Sequence, residues 1–264
     1  MSYRFVSTAI PYVNAPPHIG FAQELVIADV VARHARLRGD YTFFLSGTDD
    51  NSLKNAIAAE AAGILLSAGL RPPSEILVHG YVTVEGEKIS KSHGRTVSPA
   101  EACRRHGTDA LRYYLLRHVG SHYDGDFSWE RLAEVYEHEL ANDLGNLVSR
   151  ATALVRRHGV PAEPGSELAS GLEAEVARHV EEFAVHRALD AIWSVVGSAN
   201  AYVNRTEPWK LGKHGLIGAL GDVLGELYAA LRRVGEALRP FLPDASSRLL
   251  VALDASSPEP LFPR

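Results

Sequence analysis

Cysteine is almost missing from this chain of 264 residues: Cys103 stands alone. That excludes an internal disulfide and any zinc site built on cysteine pairs, and no metal-ligating set is read elsewhere. No apolar run approaches the ~20 residues that a bilayer-spanning helix needs. The start, Met1-Ser2-Tyr3-Arg4, leads into a strand-like stretch without the build of a signal peptide, so a cytoplasmic protein is expected. An excess of positive charge is missing too. The formal net charge of −5 gives no general attraction for nucleic acid and leaves only a local basic patch for such contact. Lysine is scarce, contributing Lys54, Lys88, Lys91, Lys210 and Lys213 to the 27 basic residues. Two of these five, Lys88 and Lys91, fall three residues apart in one polar loop.

What is present divides into two grammars. With 46% hydrophobic and 22% charged residues, the chain has material for a sizeable core in one large domain or two modest ones. Residues 1–120 alternate strand-like and helix-like segments, the pattern of an α/β domain. Strands are expected at Arg4 to Ala9, Thr42 to Ser46 and Glu75 to Val78, with helices over Ile19 to Arg38 and Ser52 to Ala62. Y-V-T-V-E-G-E-K reads as a small hairpin. Residues 121–264 are helical in pattern. Trp129 to Arg157 repeats apolar residues at Leu132, Val135, Leu140, Leu144 and Leu147. A Gly/Pro break follows between His158 and Gly165, and amphipathic stretches over Leu168 to Asn204 and Ile217 to Leu238 complete a bundle.

Two motifs carry chemistry. Pro17-His18-Ile19-Gly20 follows the first strand and opens a helix. Gly20 allows close backbone approach to a nucleotide, the helix N-terminus favours phosphate, and His18 is able to donate to a phosphate oxygen as charge shifts. A helix-start histidine without a ligand is the plainer reading. Lys88-Ile89-Ser90-Lys91-Ser92, followed by Gly94, places two ammonium groups on one loop, able to neutralise a triphosphate and follow charge onto leaving pyrophosphate. A solvated basic loop is the plainer reading here. Both motifs are expected to follow strands of one sheet, at whose carboxyl ends α/β proteins bind ligands.

Together these residues resemble a family. S-T-A-I-P-Y-V-N-A-P-P-H-I-G looks like the first strand and H-I-G-H signature of class I aminoacyl-tRNA synthetases, with the flavour of methionyl-tRNA synthetase. S-G-T-D-D-N-S-L-K resembles the second strand and its G-T-D turn. V-H-G-Y-V-T-V-E-G-E-K-I-S-K-S resembles the approach to the K-M-S-K-S loop, and T-D-A-L-R-Y-Y-L-L-R with the helical half continues the likeness to about Trp209. The resemblance implies a reduced Rossmann-like parallel sheet of class I synthetase (HUP) type, followed by an all-α bundle like the anticodon-binding domain. It implies that His18 and Gly20 contact ATP, that Lys88, Ser90, Lys91 and Ser92 steady its phosphates, and that Mg2+ accompanies the nucleotide. It also implies that Asp49 holds the α-ammonium group of an amino acid and that Ile10 and Tyr12 line its pocket. The lesser alternative for Asp49 is a turn residue able to cap the helix at Ser52, and Tyr12 is able to serve in packing alone. Asn146, Arg150 and Trp209 match the positions that read an anticodon, or else pack and bridge helices.

The chain departs from the family in three places. Phe21 stands where H-I-G-H has its second histidine, removing a phosphate donor worth on the order of 2–4 kcal/mol of transition-state stabilisation. Arg95 follows Gly94 where the family has asparagine. Between Ala61-Ala62-Gly63 and Ile64-Leu65-Leu66 the resemblance calls for a connective domain, a zinc knuckle, further strands and the wall around a methionine side chain, none of which is encoded. An unpaired strand edge is costly, so Ile76 to Val78 is expected to close against Phe5 to Ser7, or a second copy or partner domain to cover the truncated sheet.

Without the wall, methionine selection is not inherited, because hydrophobic pockets discriminate by fitted contact, about 1–3 kcal/mol per methylene. The expected function is ATP-dependent activation of an amino acid to an aminoacyl adenylate. Shortened synthetase domains in specialised metabolism imply a small-molecule acceptor, for example an N-hydroxylated amine on the way to a hydrazine. A minimal tRNA ligase and a non-catalytic tRNA-binding module are the alternatives.

Overall fold

The computed structural model describes residues 2–9, 17–46, 75, 77–88, 97–120, 123–159, 165–254 and 260–263. Strand β1 (Tyr3–Ser7) is followed by helix α1 (Ile19–Leu37) and strand β2 (Tyr41–Leu45). The two strands pair in parallel, Tyr3 opposite Tyr41 and Ser7 opposite Leu45, so β1-α1-β2 is a crossover unit of the kind parallel strands require. Helix α1 starts after Pro17-His18, and its buried Ile19, Gln23, Ile27 and Val30 recur at helical spacing to form its inner face.

A second, three-stranded sheet follows. Strands β3 (Val82–Val84) and β4 (Glu87–Lys88) form the expected hairpin, joined by Glu85 and Gly86 with φ of 53° and 76°. Two positive φ values make a turn whose twist matches the flanking strands. Strand β5 (Gly125–Phe127) adds in parallel beside β3. Between them stand α2 (Pro99–His106) and α3 (Thr108–Arg117). Trp129 then opens one long rod: α4 (Trp129–Val135), a π-helical segment over Tyr136–Gly145, and α5 (Asn146–His158). The π segment resolves an irregularity in the apolar pattern. Val135 and Leu140 are five residues apart, yet both are buried with Leu132, Leu144 and Leu147. An i→i+5 turn brings that step back onto one face.

The remaining helices are α6 (Leu172–Glu181), α7 (Val185–Thr206), α8 (Pro208–Lys213), α9 (Ile217–Leu238) and α10 (Pro243–Asp254). The single helical stretch expected from Leu168 to Asn204 is in fact α6 and α7, separated at Phe183, whose φ is +56°. One buried cluster runs from Ile19, Val82 and Phe127 through Tyr113 and Trp193 to Leu253 and Phe262, so the core crosses residue 120 without interruption.

Arg112 fastens the halves. Its guanidinium donates to the Phe241 and Pro240 carbonyls at 2.6 and 3.0 Å and lies 2.8 Å from Asp29 on α1. Next to it, Asp109 accepts the amide of Ala245 at the start of α10. Burial pushes the Asp109 carboxyl upward.

Two expectations about the sheet are corrected. Leu77 and Val78 are not in a strand, and Val78 is exposed; Ile76 lies outside the described residues. Among the described residues β1 pairs with β2 alone, so Leu77 and Val78 do not take the place beside Phe5 to Ser7. Leu77 instead packs against the main core, which an apolar side chain in a short connecting segment reaches more readily than a sheet edge. The hairpin that leads to the lysine loop also belongs to a different sheet from β1.

Candidate active site

Although they lie in separate sheets, the two chemical motifs are neighbours. His18 is the N-cap of α1 in extended conformation, and its carbonyl accepts the amides of Phe21 and Ala22 at 3.1 and 3.2 Å. The first-turn amides of such a helix point outward as anion donors. A methyl group built on Gly20 would lie 3.3 Å from the His18 ring and 3.7 Å from Cβ of Val82 in β3. The helix start thus lies at van der Waals distance from the hairpin, and a side chain at position 20 would be crowded by the His18 ring rather than by the strand.

Three carboxylates hold the junction. Glu24, one turn into α1, accepts the amide of Ala9 at 2.6 Å and lies 3.7 Å from Nε2 of His79. It thereby ties the end of β1 to the V-H-G-Y approach of the hairpin. The bond to Glu24 raises the His79 pKa against the opposing effect of burial. Asp124 accepts the amide of Tyr81 at 2.8 Å. Asp126 in β5 accepts both the Thr83 hydroxyl at 2.6 Å and the Gly86 amide at 2.8 Å, pinning the hairpin turn. Gly80 is required by contact: a Cβ there would meet the Tyr123 carbonyl oxygen at 2.1 Å.

Of the residues expected in the site, His18 and Gly20 are brought to the hairpin, and Phe21 is half-buried beside them. Lys88 is the last residue of β4, its side chain outside the described atoms. Ile10, Tyr12, Asp49, Ser90, Lys91 and Ser92 lie outside the described residues. Sequence reasoning missed Glu24, His79, Asp124 and Asp126. The signal for the last two was present in Y-D-G-D-F, a turn-like stretch with two acids beside a short strand.

The family described as tRNA synthetases class I (M) matches residues 4–66 and 62–152, together more than half of the chain. The chain belongs to the class I tRNA synthetases. The two matched pieces meet at residues 62–66. Methionine–tRNA ligase of Thermotoga maritima is 37% identical over 197 residues, 70% of this chain and 31% of that protein. The mitochondrial enzyme of Bos taurus is 36% identical over 223 residues, 74% of this chain and 38% of that one. The chain thus spans about a third of the length of these relatives. A crystal structure of Mycobacterium tuberculosis methionyl-tRNA synthetase bound by methionyl-adenylate matches with a TM-score of 0.83 at 19% identity, covering both chains fully. A second complex of that enzyme gives 0.87. This likeness establishes the fold.

In this synthetase chain the helical half carries Asn146, Arg150 and Trp209 on its surface. Asn146 and Arg150 are exposed one turn apart on α5. Asn146 donates to Asn142, and Arg150 donates to Oδ1 of Asn200 at 2.6 Å, while Asn200 donates to the Asp143 carbonyl. Asn200, unflagged by the sequence, orients Arg150 across the helix pair. Trp209, the second residue of α8, is 45% exposed.

Glu139 in the π segment receives the Tyr113 hydroxyl at 2.6 Å, Arg117 at 2.8 Å and His118 at 3.1 Å. Burial alone would raise its carboxyl, but hydrogen bonds from His118 and Tyr113 and the Arg117 charge hold it at about 2. Arg117 also reaches Asp190 on α7. The synthetase motifs and the bundle are therefore joined by charge as well as by packing. Among the described residues no helix is long and apolar enough to cross a membrane.

Proposed function

We propose that this chain uses ATP to activate an amino acid and passes the acyl group to a small-molecule acceptor. The observation that carries the reading is the packing of the His18–Gly20 helix start against the hairpin that ends at Lys88. Residues 1–120 form the activating part and residues 121–264 a bundle that braces it. The amino-acid carboxylate attacks the α-phosphorus of ATP, the bond to the β-phosphate bridging oxygen breaks, and aminoacyl adenylate and pyrophosphate result. His18, Lys88 and Lys91 take up the charge that develops, with Ser90 and Ser92 steadying the phosphates. Mg2+ bound with the nucleotide would supply further neutralisation of phosphate charge. Asp49 holds the α-ammonium group and Ile10 and Tyr12 shape the pocket. A small or polar amino acid suits a pocket without the methionine wall. The cytoplasm, with its ATP supply, is the expected compartment.

Transfer to an N-hydroxylated amine fits a chain that lacks the segment which would guide a tRNA acceptor end. The exposed Asn146, Arg150 and Trp209 favour a second reading, transfer to tRNA. Pyrophosphate exchange measured with each amino acid tests the first step, and a signal above background is expected with at least one. No exchange with any amino acid overturns the proposal. Product analysis with hydroxylamines and with tRNA then separates the acceptors.

A further inference from the structure

Among the described residues the β1–β2 sheet has one exposed, largely aromatic face. Strand alternation places Val6, Thr42 and Phe44, all half-buried, toward the side that α1 covers. On the other side Tyr3 is 88% exposed, Phe5 64%, Tyr41 62%, Phe43 60% and Leu45 50%. The parallel register sets Tyr3 beside Tyr41 and Phe5 beside Phe43, and both ring pairs stack, with centroids 5.4 and 5.5 Å apart. These five side chains carry no formal charge. Parallel strands belong almost always to sheets covered on both faces, and among the described residues α1 covers one face of this pair.

We propose that a second copy of this chain covers that face, giving a two-fold dimer in which the two aromatic ladders pack against each other. The lack of charge argues against a strongly acidic or basic partner and leaves a surface that suits itself. Under two-fold symmetry one patch meets its own copy, and inner faces of two sheets pack about 10 Å apart in this way. At 150–250 Å² for a whole aromatic side chain, the exposed portions sum to roughly 650 Å² per copy. Twice that is about 1,300 Å², within the range of stable specific interfaces. The dimer does not depend on the chemistry proposed above, and its test needs no substrate.

Sedimentation velocity of the full chain at micromolar concentration is expected to show a dimer. The double substitution Phe5→Lys and Phe43→Lys is expected to weaken self-association on the order of 100-fold while leaving the helical circular dichroism unchanged, because both positions are largely exposed within one copy. A second measurement uses the single native cysteine. In a Cys103→Ala background, Tyr3→Cys is expected to be cross-linked between copies by a short bifunctional thiol reagent, and the two lysine substitutions to abolish the cross-link. A chain that sediments as a monomer, that associates only with a different polypeptide, or that dimerises undiminished with both lysines in place overturns the proposal.

Discussion

Glu24 lies 3.7 Å from Nε2 of His79, and its other carboxylate oxygen receives the amide of Ala9. One side chain on α1 thus couples the end of β1 to the approach of the lysine-bearing hairpin. Glu24→Gln is expected to lower the raised His79 pKa, read by an NMR titration of that imidazole. Because the folded value is raised, the stability from this pair is fully present below the ordinary imidazole pKa of about 6.5 and is lost as pH rises through the folded value. Both groups are partly exposed, so the pH-dependent part is about 0.5 kcal/mol. A stability difference between wild type and variant that grows from pH 6 to pH 9 would falsify the assignment.

Gly80 has no room for a side chain. Gly80→Ala sets a methyl group 2.1 Å from the Tyr123 carbonyl oxygen and 2.6 Å from the Asp124 amide nitrogen, backbone atoms that cannot rotate away. A loss of about 1–3 kcal/mol is expected in chemical denaturation, with a fall in pyrophosphate exchange as the hairpin shifts. Gly218→Ala is the control. It lies within α9 with open space around it, and the helix preference for alanine should add up to about 1 kcal/mol. Equal effects at the two positions would refute the packing account.

Glu139 is held at about 2 by its partners. Its folded value is depressed, so its contribution is present above the unfolded carboxyl value near 4.5 and disappears as pH falls through about 2. Glu139→Gln is expected to cost on the order of 3 kcal/mol at neutral pH, with the gap from wild type closing over that acidic window. Thermal melts across the range decide it; a gap constant with pH would show the carboxylate to be unimportant.

The phosphate-handling residues separate activity from stability. Lys91→Ala is expected to reduce pyrophosphate exchange by about 100- to 1,000-fold, the usual loss for one transition-state donor, without changing the melting temperature. Phe21→His restores the donor that the family motif carries, and faster exchange is expected from it. If Lys91→Ala exchanges at the wild-type rate, charge stabilisation from that loop is ruled out.

Much of the frame was legible before any coordinates. Helix α1 was expected from Ile19 to Arg38 and runs Ile19–Leu37; α9 was expected over Ile217 to Leu238 and has those bounds. Both are long amphipathic segments, where periodicity speaks clearly. The hairpin was legible because Glu85-Gly86 falls between apolar residues in alternation. Illegible were α2 and α3, in which buried Tyr113 and Tyr114 or a short apolar run blur the helical period, and β5, only three residues long, while α10 fell in the half read as helical but without bounds of its own. The third strand failed at Leu77 and Val78 because a strand-like apolar run does not reveal which partner is left for it.

By itself the amino-acid order determined what is local: the helical repeat of α1, the turn at Glu85-Gly86, the clustering of two scarce lysines, and the motifs that mark the synthetase family. Tertiary structure alone decided what meets what. Glu24 finds His79 across 55 positions, Asp126 finds Gly86 across 40, and Arg112 reaches Phe241 across 129. Side-chain periodicity reports only which residues share an element's face. Which distant carboxylate or carbonyl that face meets depends on the packing of the whole core, and so does the bare aromatic side of β1 and β2.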